Sequence, residues 1–273
     1  MEQIEKKRKK VAICYDFDKT LSPDNMQAQG YIQSLGFDEK RFWQKADTLA
    51  YDNDMDSNLA YMYVMVTEAE GKIICNRKSL FAYGESVSFY NGVETWFERI
   101  NAFGAKLGVD VEHYVISSGI KEMIEGTRIA KMGVFKKIYA SSFYYNKRGV
   151  AKWPAQMVNY TNKTQFLFRI SKGVLDVNDD SVNDYFPTES IRVPFTNFIY
   201  IGDSETDVPC MKLVLASGGT SIGVFDGDKK NTNKVEKLLR EKRISCYAPA
   251  DYSDGSELDG IIKNAIDKVA KTN

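Results

Sequence analysis

The sequence is poor in the residues that most often bind transition metals or form covalent cross-links. Among its 273 residues there is one histidine, His113, and there are four cysteines, none of them in a Cys-x-x-Cys pair. Zinc sites built from two or three histidines are therefore excluded, and neither a disulfide framework nor a zinc ribbon is expected. A Ser-His-Asp hydrolase would have to rely on His113 alone, without the Gly-x-Ser-x-Gly motif that such enzymes use.

The chain also lacks an excess of charge of either sign and any long apolar run. Lys plus Arg and Asp plus Glu each number 37, a balance that disfavours a nucleic-acid-binding protein. No run approaches the roughly 18 apolar residues of a membrane-spanning helix, and the charged segment 1–10 is unlike a secretory signal. We expect a cytoplasmic protein that binds neither nucleic acid nor membrane; its oligomeric state is not predicted.

Short apolar strands alternate with helical segments through most of the chain. Such alternation predicts an α/β fold with a doubly wound parallel sheet, in which ligands bind at the carboxyl ends of the strands. The Asn-Lys-Arg-Gly segment 146–149 predicts a hairpin turn. The apolar runs interpreted as buried strands are 11–15, 114–116, 198–201 and 221–225.

The segment 22–86 interrupts this alternation with apolar residues at helical spacing. It predicts helices near 24–35, from about 38, and over 57–70. We interpret 22–86 as an inserted helical domain, with residues 1–21 and 87–273 forming the α/β core.

Four carboxylates follow two of the predicted strands. Asp16 and Asp18 end the first, while Asp203 follows the strand 198–201 and Asp207 lies four residues later. Four acids at one sheet edge repel one another unless a cation or protons neutralise them. Oxygen-only ligands favour Mg²⁺, and a bound Mg²⁺ would let a carboxylate attack a phosphate dianion.

Two further segments supply groups that could hold the phosphoryl oxygens. The Ser117 hydroxyl follows the strand 114–116, and the N–H groups of Ser118 and Gly119 are predicted to open a helix. The Lys163 ammonium would add a positive charge, and Lys131, Lys152 and Lys172 are the alternatives for this role. Ser117, Ser118, Gly119 and Lys163 are therefore the predicted phosphate-binding residues.

Four motifs in this order resemble those of the haloacid dehalogenase (HAD) superfamily. The Asp-Phe-Asp-Lys-Thr-Leu segment 16–21 resembles the first motif, Ser117 the second and Lys163 the third. The segment 202–207, Gly-Asp-Ser-Glu-Thr-Asp, resembles the fourth. The insertion 22–86 occupies the place of the helical C1 cap found in phosphoserine-phosphatase-like members, and 141–150 resembles their hairpin.

The resemblance implies roles for the first-motif residues. Asp16 would be the nucleophile that forms an aspartyl-phosphate, with its other oxygen on Mg²⁺. Asp18 would be the acid that protonates the leaving group and then the base that activates water, and its main-chain carbonyl would bind the metal. Members that displace halide lack this second Asp, so Asp18 indicates phosphate chemistry.

The resemblance also implies the remaining assignments. Asp203 would be the other carboxylate ligand of the metal, and Asp207 would support Lys163 or a metal-bound water. Thr20 completes the supporting residues. The second motif reads Ser-Ser-Gly and the fourth lacks the Gly-Asp-Gly-x-Asn-Asp form, and in both the sequence departs from the phosphoserine phosphatases.

The predicted function is a Mg²⁺-dependent phosphatase that hydrolyses a small phosphomonoester through the catalytic residues Asp16, Asp18, Ser117 and Lys163. A phosphotransferase or mutase would use the same aspartyl-phosphate with another acceptor. A non-catalytic phosphorylatable switch is a third interpretation, disfavoured by the inserted helical domain, and a degenerate binding module is a fourth.

Overall fold

A seven-stranded sheet with helices on both faces organises the chain. The computed structural model describes residues 8–229 and 231–272. The strand order is β4-β3-β2-β1-β5-β6-β7, and all neighbours are parallel except the antiparallel pair β3–β4. The strands are β1 (Lys9–Tyr15), β2 (Val109–Ile120), β3 (Phe135–Tyr145), β4 (Ala151–Gln156), β5 (Phe198–Gly202), β6 (Thr220–Phe225) and β7 (Cys246–Pro249).

Eleven α-helices are present in the described ranges, and none of them is both long and apolar enough to cross a membrane. They are α1 (Tyr31–Ser34), α2 (Glu39–Asp52), α3 (Ser57–Ala69), α4 (Arg77–Glu85), α5 (Val93–Lys106), α6 (Lys121–Gly126), α7 (Arg128–Lys131), α8 (Lys163–Lys172), α9 (Val208–Ala216), α10 (Asn233–Arg240) and α11 (Glu257–Lys271).

Residues of β1 alternate between two hydrophobic cores, one on each face of the sheet. Val11, Ile13 and Tyr15 pack in the core that also contains the buried side chains of α5 and α11. Ala12 and Cys14 belong to the second core, which contains those of α8, α9 and α10. Burial on both faces is the property of a doubly wound parallel sheet, so the predicted fold class is confirmed.

The segment between β1 and α5 is helical, but its first helix was predicted wrongly. In place of one helix near 24–35 there is a 3₁₀ turn, Met26–Ala28, followed by the single-turn helix α1. Gly30 separates them and has φ of 127°, which lies outside the helical region. Glycine adopts such a positive φ more easily than any other residue. The helices predicted from about 38 and over 57–70 correspond to α2 and α3.

Helix α4 contacts the core helix α6 at very short range through two glycines. A Cβ on Gly84 would lie 2.0 Å from the carbonyl oxygen of Met123, and one on Gly126 would lie 1.9 Å from that of Phe81. No larger residue fits at either position without separating the helices. The last helix of the segment 22–86 is thus held tightly against the α/β core.

The predicted hairpin turn joins β3 to β4. Asn146 and Val150 are hydrogen-bonded through their backbones, and Gly149 adopts φ of 74° as the turn requires. The short strand β7 had no clear sequence signal, because it has four residues and ends in proline.

His113 is buried in a hydrogen-bond chain that specifies its neutral form. Its Nε2–H donates to Asn101 Oδ1 at 3.0 Å, and its Nδ1 accepts from the Tyr15 hydroxyl at 2.9 Å. Trp96 Nε1–H donates to the same hydroxyl at 2.8 Å. Burial lowers the pKa of His113 to about 3.

We predict that the acid sensitivity of this fold depends partly on His113. The unfolded chain binds a proton on His113 below pH 6.5, whereas the native state does so only near pH 3. The contribution of neutral His113 to the free energy of unfolding is therefore complete above pH 6.5. Below pH 6.5 the free energy of unfolding decreases by up to about 1.4 kcal/mol for each pH unit. Urea unfolding between pH 7.5 and 4.5 should show a shallower decline in the free energy of unfolding for His113→Gln than for the wild type. Equal slopes would contradict the prediction.

Candidate active site

Three adjacent parallel strands end at the same edge of the sheet and bring the predicted site residues together. Tyr15, at the end of β1, pairs with Val115 of β2 and Ile201 of β5. The N–H of the next residue, Asp16, donates to the Ile201 carbonyl at 2.9 Å. The residues beyond these paired positions therefore lie at one edge of the sheet. Ligands bind at this edge, the carboxyl ends of the strands, in doubly wound parallel sheets.

The Lys163 ammonium lies between two of the predicted carboxylates. Lys163 is the first residue of α8, and its Nζ lies 3.2 Å from Asp16 Oδ1 and 2.8 Å from Asp207 Oδ1. Its side chain is completely buried. A buried ammonium is stable only with such close carboxylates, so these three residues form one electrostatic unit.

Asp207 is further held by neighbours in its own segment. The Tyr200 hydroxyl donates to Oδ1 at 2.8 Å, and the Ser204 hydroxyl donates to Oδ2 at 3.1 Å. A Cβ on Gly202 would lie 2.6 Å from Asp207 Oδ2. Glycine at 202 therefore leaves the space that the Asp207 carboxylate occupies.

The carboxylates of Asp16, Asp203 and Asp207 form the acidic cluster of the site. One oxygen from each lies within 4.8 Å of the other two. An all-oxygen donor set of this kind suits Mg²⁺ better than zinc or copper. The residues present therefore fit the predicted cation, with the Asp18 carboxylate outside the cluster.

The electrostatics of the cluster show excess negative charge. Burial and the Asp207 carboxylate raise the pKa of Asp16 to about 6, against the opposing effect of Lys163. Burial, Asp207 and Asp16 raise the pKa of Asp203 to about 8. Burial alone would lower the pKa of Lys163, but Asp16 and Asp207 raise it above its ordinary value. One ammonium does not neutralise three carboxylates, and a divalent cation would.

The Asp18 side chain lies beside the acidic cluster, between the start of the helical segment and Gly119. Its Oδ1 accepts a hydrogen bond from the Met26 N–H at 2.8 Å. A Cβ on Gly119 would lie 3.1 Å from its Oδ2 and 2.2 Å from Met26 Cε. Burial and the Asp16 charge raise the pKa of Asp18 well above its usual range.

Thr20 is buried at the end of the first motif. Its carbonyl accepts from the Tyr252 hydroxyl at 2.9 Å, and its own hydroxyl has no hydrogen-bond partner within the described ranges. The main chain of Thr20 is therefore held by Tyr252, which follows β7 in the chain.

The Ser117 segment differs from its predicted local structure. Strand β2 continues through Ile120, and α6 begins only at Lys121. Ser118 and Gly119 therefore do not open a helix, and the Gly119 N–H donates to Ser117 Oγ at 3.0 Å. The error arose because the apolar run stops at Ile116, whereas β2 pairs with β3 at Ser117 and, after an irregularity at Ser118 and Gly119, again at Ile120.

A cavity of about 350 Å³ opens beside Asp203. Its walls combine lysines with aromatic and aliphatic side chains from the end of β6 and from α10. Its polar and charged lining residues include Lys19, Asp24, Tyr90, Asp203, Asp226 and Lys234.

Two residues of this region escaped the sequence analysis. Tyr200 lies within an apolar strand and carried no signal that separates it from an ordinary core residue. Met26, whose sulfur accepts from the Ile120 N–H at 3.3 Å, lies in the segment predicted as a regular helix. Neither contact could be found without knowing which segments pack together.

The chain is similar in sequence to a known protein family and to a bacterial protein. A family model described as haloacid dehalogenase-like hydrolase matches residues 13–212, more than half of the 273 residues. An uncharacterized protein of Borreliella burgdorferi is 28% identical in an alignment of 278 positions, which covers 91% of this chain and 93% of that protein.

Solved structures share the fold at low sequence identity. A HAD family hydrolase from Salmonella enterica serovar Typhi superposes with a TM-score of 0.61 at 16% identity, over 93% of this chain and 70% of that one. A substrate-bound phosphoserine phosphatase superposes with a TM-score of 0.58 at 12% identity, over 94% of this chain and 99% of that one. Cytosolic 5′-nucleotidase IIIB bound to cytidine superposes with a TM-score of 0.54 at 15% identity, over 96% of this chain and 87% of that one.

We predict that Lys163→Met destabilises the protein by about 3–5 kcal/mol, because it leaves buried carboxylates without their counter-charge. In thermal unfolding the melting temperature should fall by roughly 6–15 °C. Lys212→Met, which removes an exposed lysine from the neighbouring helix α9, is the matched control and should change the melting temperature little. Equal melting temperatures for the two variants would contradict the prediction.

Proposed function

The chain belongs to the haloacid dehalogenase-like hydrolases, and from that premise we propose that it is a Mg²⁺-dependent phosphatase of small phosphomonoesters. The observation that carries the proposal is the Lys163 ammonium between Asp16 and Asp207, beside Asp203. This arrangement holds the buried Asp16 carboxylate next to the Lys163 ammonium. The negative charge that Lys163 does not balance is available for a metal to neutralise. Such a carboxylate can attack a phosphate group that is itself negatively charged.

In the first step, the Asp16 carboxylate attacks phosphorus while the bond to the leaving oxygen breaks. The Asp18 carboxylic acid gives its proton to that oxygen, so the leaving group departs as a neutral alcohol. Asp16 then carries the phosphoryl group as an aspartyl-phosphate. The hydrogen bond from the Met26 N–H to Asp18 Oδ1 orients the acid for this transfer.

In the second step, Asp18 takes a proton from a water molecule whose oxygen attacks phosphorus. The bond between phosphorus and Asp16 breaks, which restores its carboxylate and releases inorganic phosphate. Asp16, Asp203 and the Asp18 main-chain carbonyl would hold Mg²⁺. When bound, it would neutralise the acids and polarise the phosphoryl oxygens.

Phosphoryl oxygens not held by the metal would be bound by Ser117 and Lys163. Since the Gly119 N–H donates to Ser117 Oγ, the hydrogen of the serine hydroxyl is left to donate to the phosphate. The Lys163 ammonium has three donors and uses two on Asp16 and Asp207. Asp207 thus acts through Lys163, and we assign Ser118 and Gly119 to the same phosphate-binding segment.

Residues 22–86 would form the cap of this enzyme, with α4 as its anchor on α6. The cavity beside Asp203 lies between this segment and the end of β6 and offers the substrate a route to the acids. Tyr90 and Lys234 on its walls would face the leaving group.

We predict that Asp16→Asn abolishes hydrolysis of p-nitrophenyl phosphate, with at least a ~10³-fold loss of kcat, because an amide cannot act as the nucleophile. Asp47→Asn removes an exposed carboxylate on α2 and should keep full activity. Both variants are compared with the wild type at saturating Mg²⁺, with nitrophenol release as the readout. Full activity in Asp16→Asn would refute the nucleophile assignment.

The same assay separates hydrolysis from the alternative reactions. Addition of an alcohol acceptor distinguishes a phosphatase, which releases one inorganic phosphate per nitrophenol, from a phosphotransferase, which makes a new ester. A switch protein would accumulate a long-lived phosphorylated chain without turnover. We expect phosphate and nitrophenol in equal amounts.

We predict that activity requires Mg²⁺ and that Asp203 holds it. Chelation should remove activity, and Mg²⁺ should restore it and also raise the melting temperature, because a ligand that binds only the native state stabilises it. Asp203→Asn should need at least about 10-fold more Mg²⁺ for the same shift. Asp47→Asn, which removes an exposed carboxylate from α2, should behave like the wild type; an equal change in both variants would contradict the assignment.

A further inference from the structure

The N-terminal half of α3 contacts the core at the segment that we assign to phosphate binding. The Tyr61 hydroxyl donates to the Ser118 carbonyl oxygen at 2.5 Å, and the tyrosine is only 5% exposed. Ser141 Oγ donates to the same oxygen at 3.1 Å. The Ser118 carbonyl therefore has two donors, one from the inserted helical segment and one from the core.

A second path connects α3 to the same serine. The side-chain amide of Asn58, one turn before Tyr61, donates to the Val158 carbonyl at 2.8 Å. The Val158 N–H in turn donates to Ser141 Oγ at 3.0 Å. Helix α3 and the core thus close a ring of hydrogen bonds around the Ser118 peptide.

The helix also contacts the segment that precedes Lys163. Asp56, the N-cap of α3, accepts from the Asn58 N–H at 2.9 Å through one oxygen and from the Asn159 side-chain amide at 2.7 Å through the other. Asn159 carries the start of α8, since its carbonyl accepts from the Lys163 N–H at 3.0 Å. Both phosphate-binding segments are therefore hydrogen-bonded to the N-terminal half of α3.

The geometry of the peptide bond explains why this contact reaches the site. The Ser118 carbonyl and the Gly119 N–H belong to one planar unit and point in opposite directions. Fixing the carbonyl with Tyr61 therefore fixes the direction of the N–H that donates to Ser117 Oγ. The orientation of the Ser117 hydroxyl depends on a residue that does not touch the phosphate.

From these contacts we propose that Tyr61 is a positioning residue for phosphate transfer, assisted by Asn58 and Asp56. Docking of α3 aligns Ser117 and the start of α8 at the same time, so the catalytic arrangement is complete only when the helical segment is in place. This inference rests on the proposed phosphatase function.

The test compares Tyr61→Phe with Tyr63→Phe, which removes a half-exposed hydroxyl from the same helix. For Tyr61→Phe we expect a 10- to 100-fold fall in kcat on p-nitrophenyl phosphate with KM changed less than threefold. Inhibition by inorganic vanadate, a mimic of the transition state, should weaken by a similar factor. Tyr63→Phe should match the wild type in all three quantities.

Asn58→Ala provides a second approach through the other path of the ring. It should lower kcat by less than Tyr61→Phe, and the double variant should lose less than the product of the two single losses, because both act on one peptide unit.

The outcomes separate this inference from the function on which it depends. A wild type without Mg²⁺-dependent hydrolysis would overturn both. An active wild type with an inactive Asp16→Asn, but with Tyr61→Phe equal to Tyr63→Phe, would overturn the positioning role alone. A fall in kcat without weaker vanadate inhibition would also overturn it, since loss of folded protein alone has that effect.

Discussion

The buried Lys163 ammonium is the interaction on which the rest of this site depends. It joins the end of β1, through Asp16, to the start of α9, through Asp207, and itself begins α8. Without a positive charge, three carboxylates within 4.8 Å of one another would repel strongly in a buried setting. The ammonium balances part of this charge and leaves the remainder to attract a cation. Structure and proposed chemistry therefore have the same electrostatic origin.

The parallel sheet makes this convergence possible. Because β1 lies between β2 and β5, the residues that follow β1 and β5 and the last residues of β2 meet at one edge although they are far apart in the chain. Gly202 contributes by the absence of a side chain, since a Cβ would occupy the place of the Asp207 carboxylate. The family match over 13–212 covers all these segments.

Much of the fold could be predicted because its signals are local. The apolar runs that became β1, β5 and β6 are short and end at polar residues, and Gly149 marks a turn through its backbone freedom. Predictions failed where long-range pairing overrides local pattern. Strand β2 pairs with β3 at Ser117 and again at Ile120, with Ser118 and Gly119 in an irregularity between them, and no periodicity within the segment reveals this. For the same reason Tyr200 was indistinguishable from a core residue until its hydroxyl was placed on Asp207.

By itself, the amino-acid sequence determined which acids follow which strands, the position of Lys163 and the hydroxyl at Ser117, because these depend on residue type and order. Only the tertiary structure decided which of these groups contact one another. Lys163 and Asp207 are 44 residues apart, and Tyr61 and Ser118 are 57 apart. Contacts over such separations depend on how helices pack against the sheet and on the register of neighbouring strands. Both are collective properties of the folded chain, since the burial that favours them exists only after the distant segments have come together.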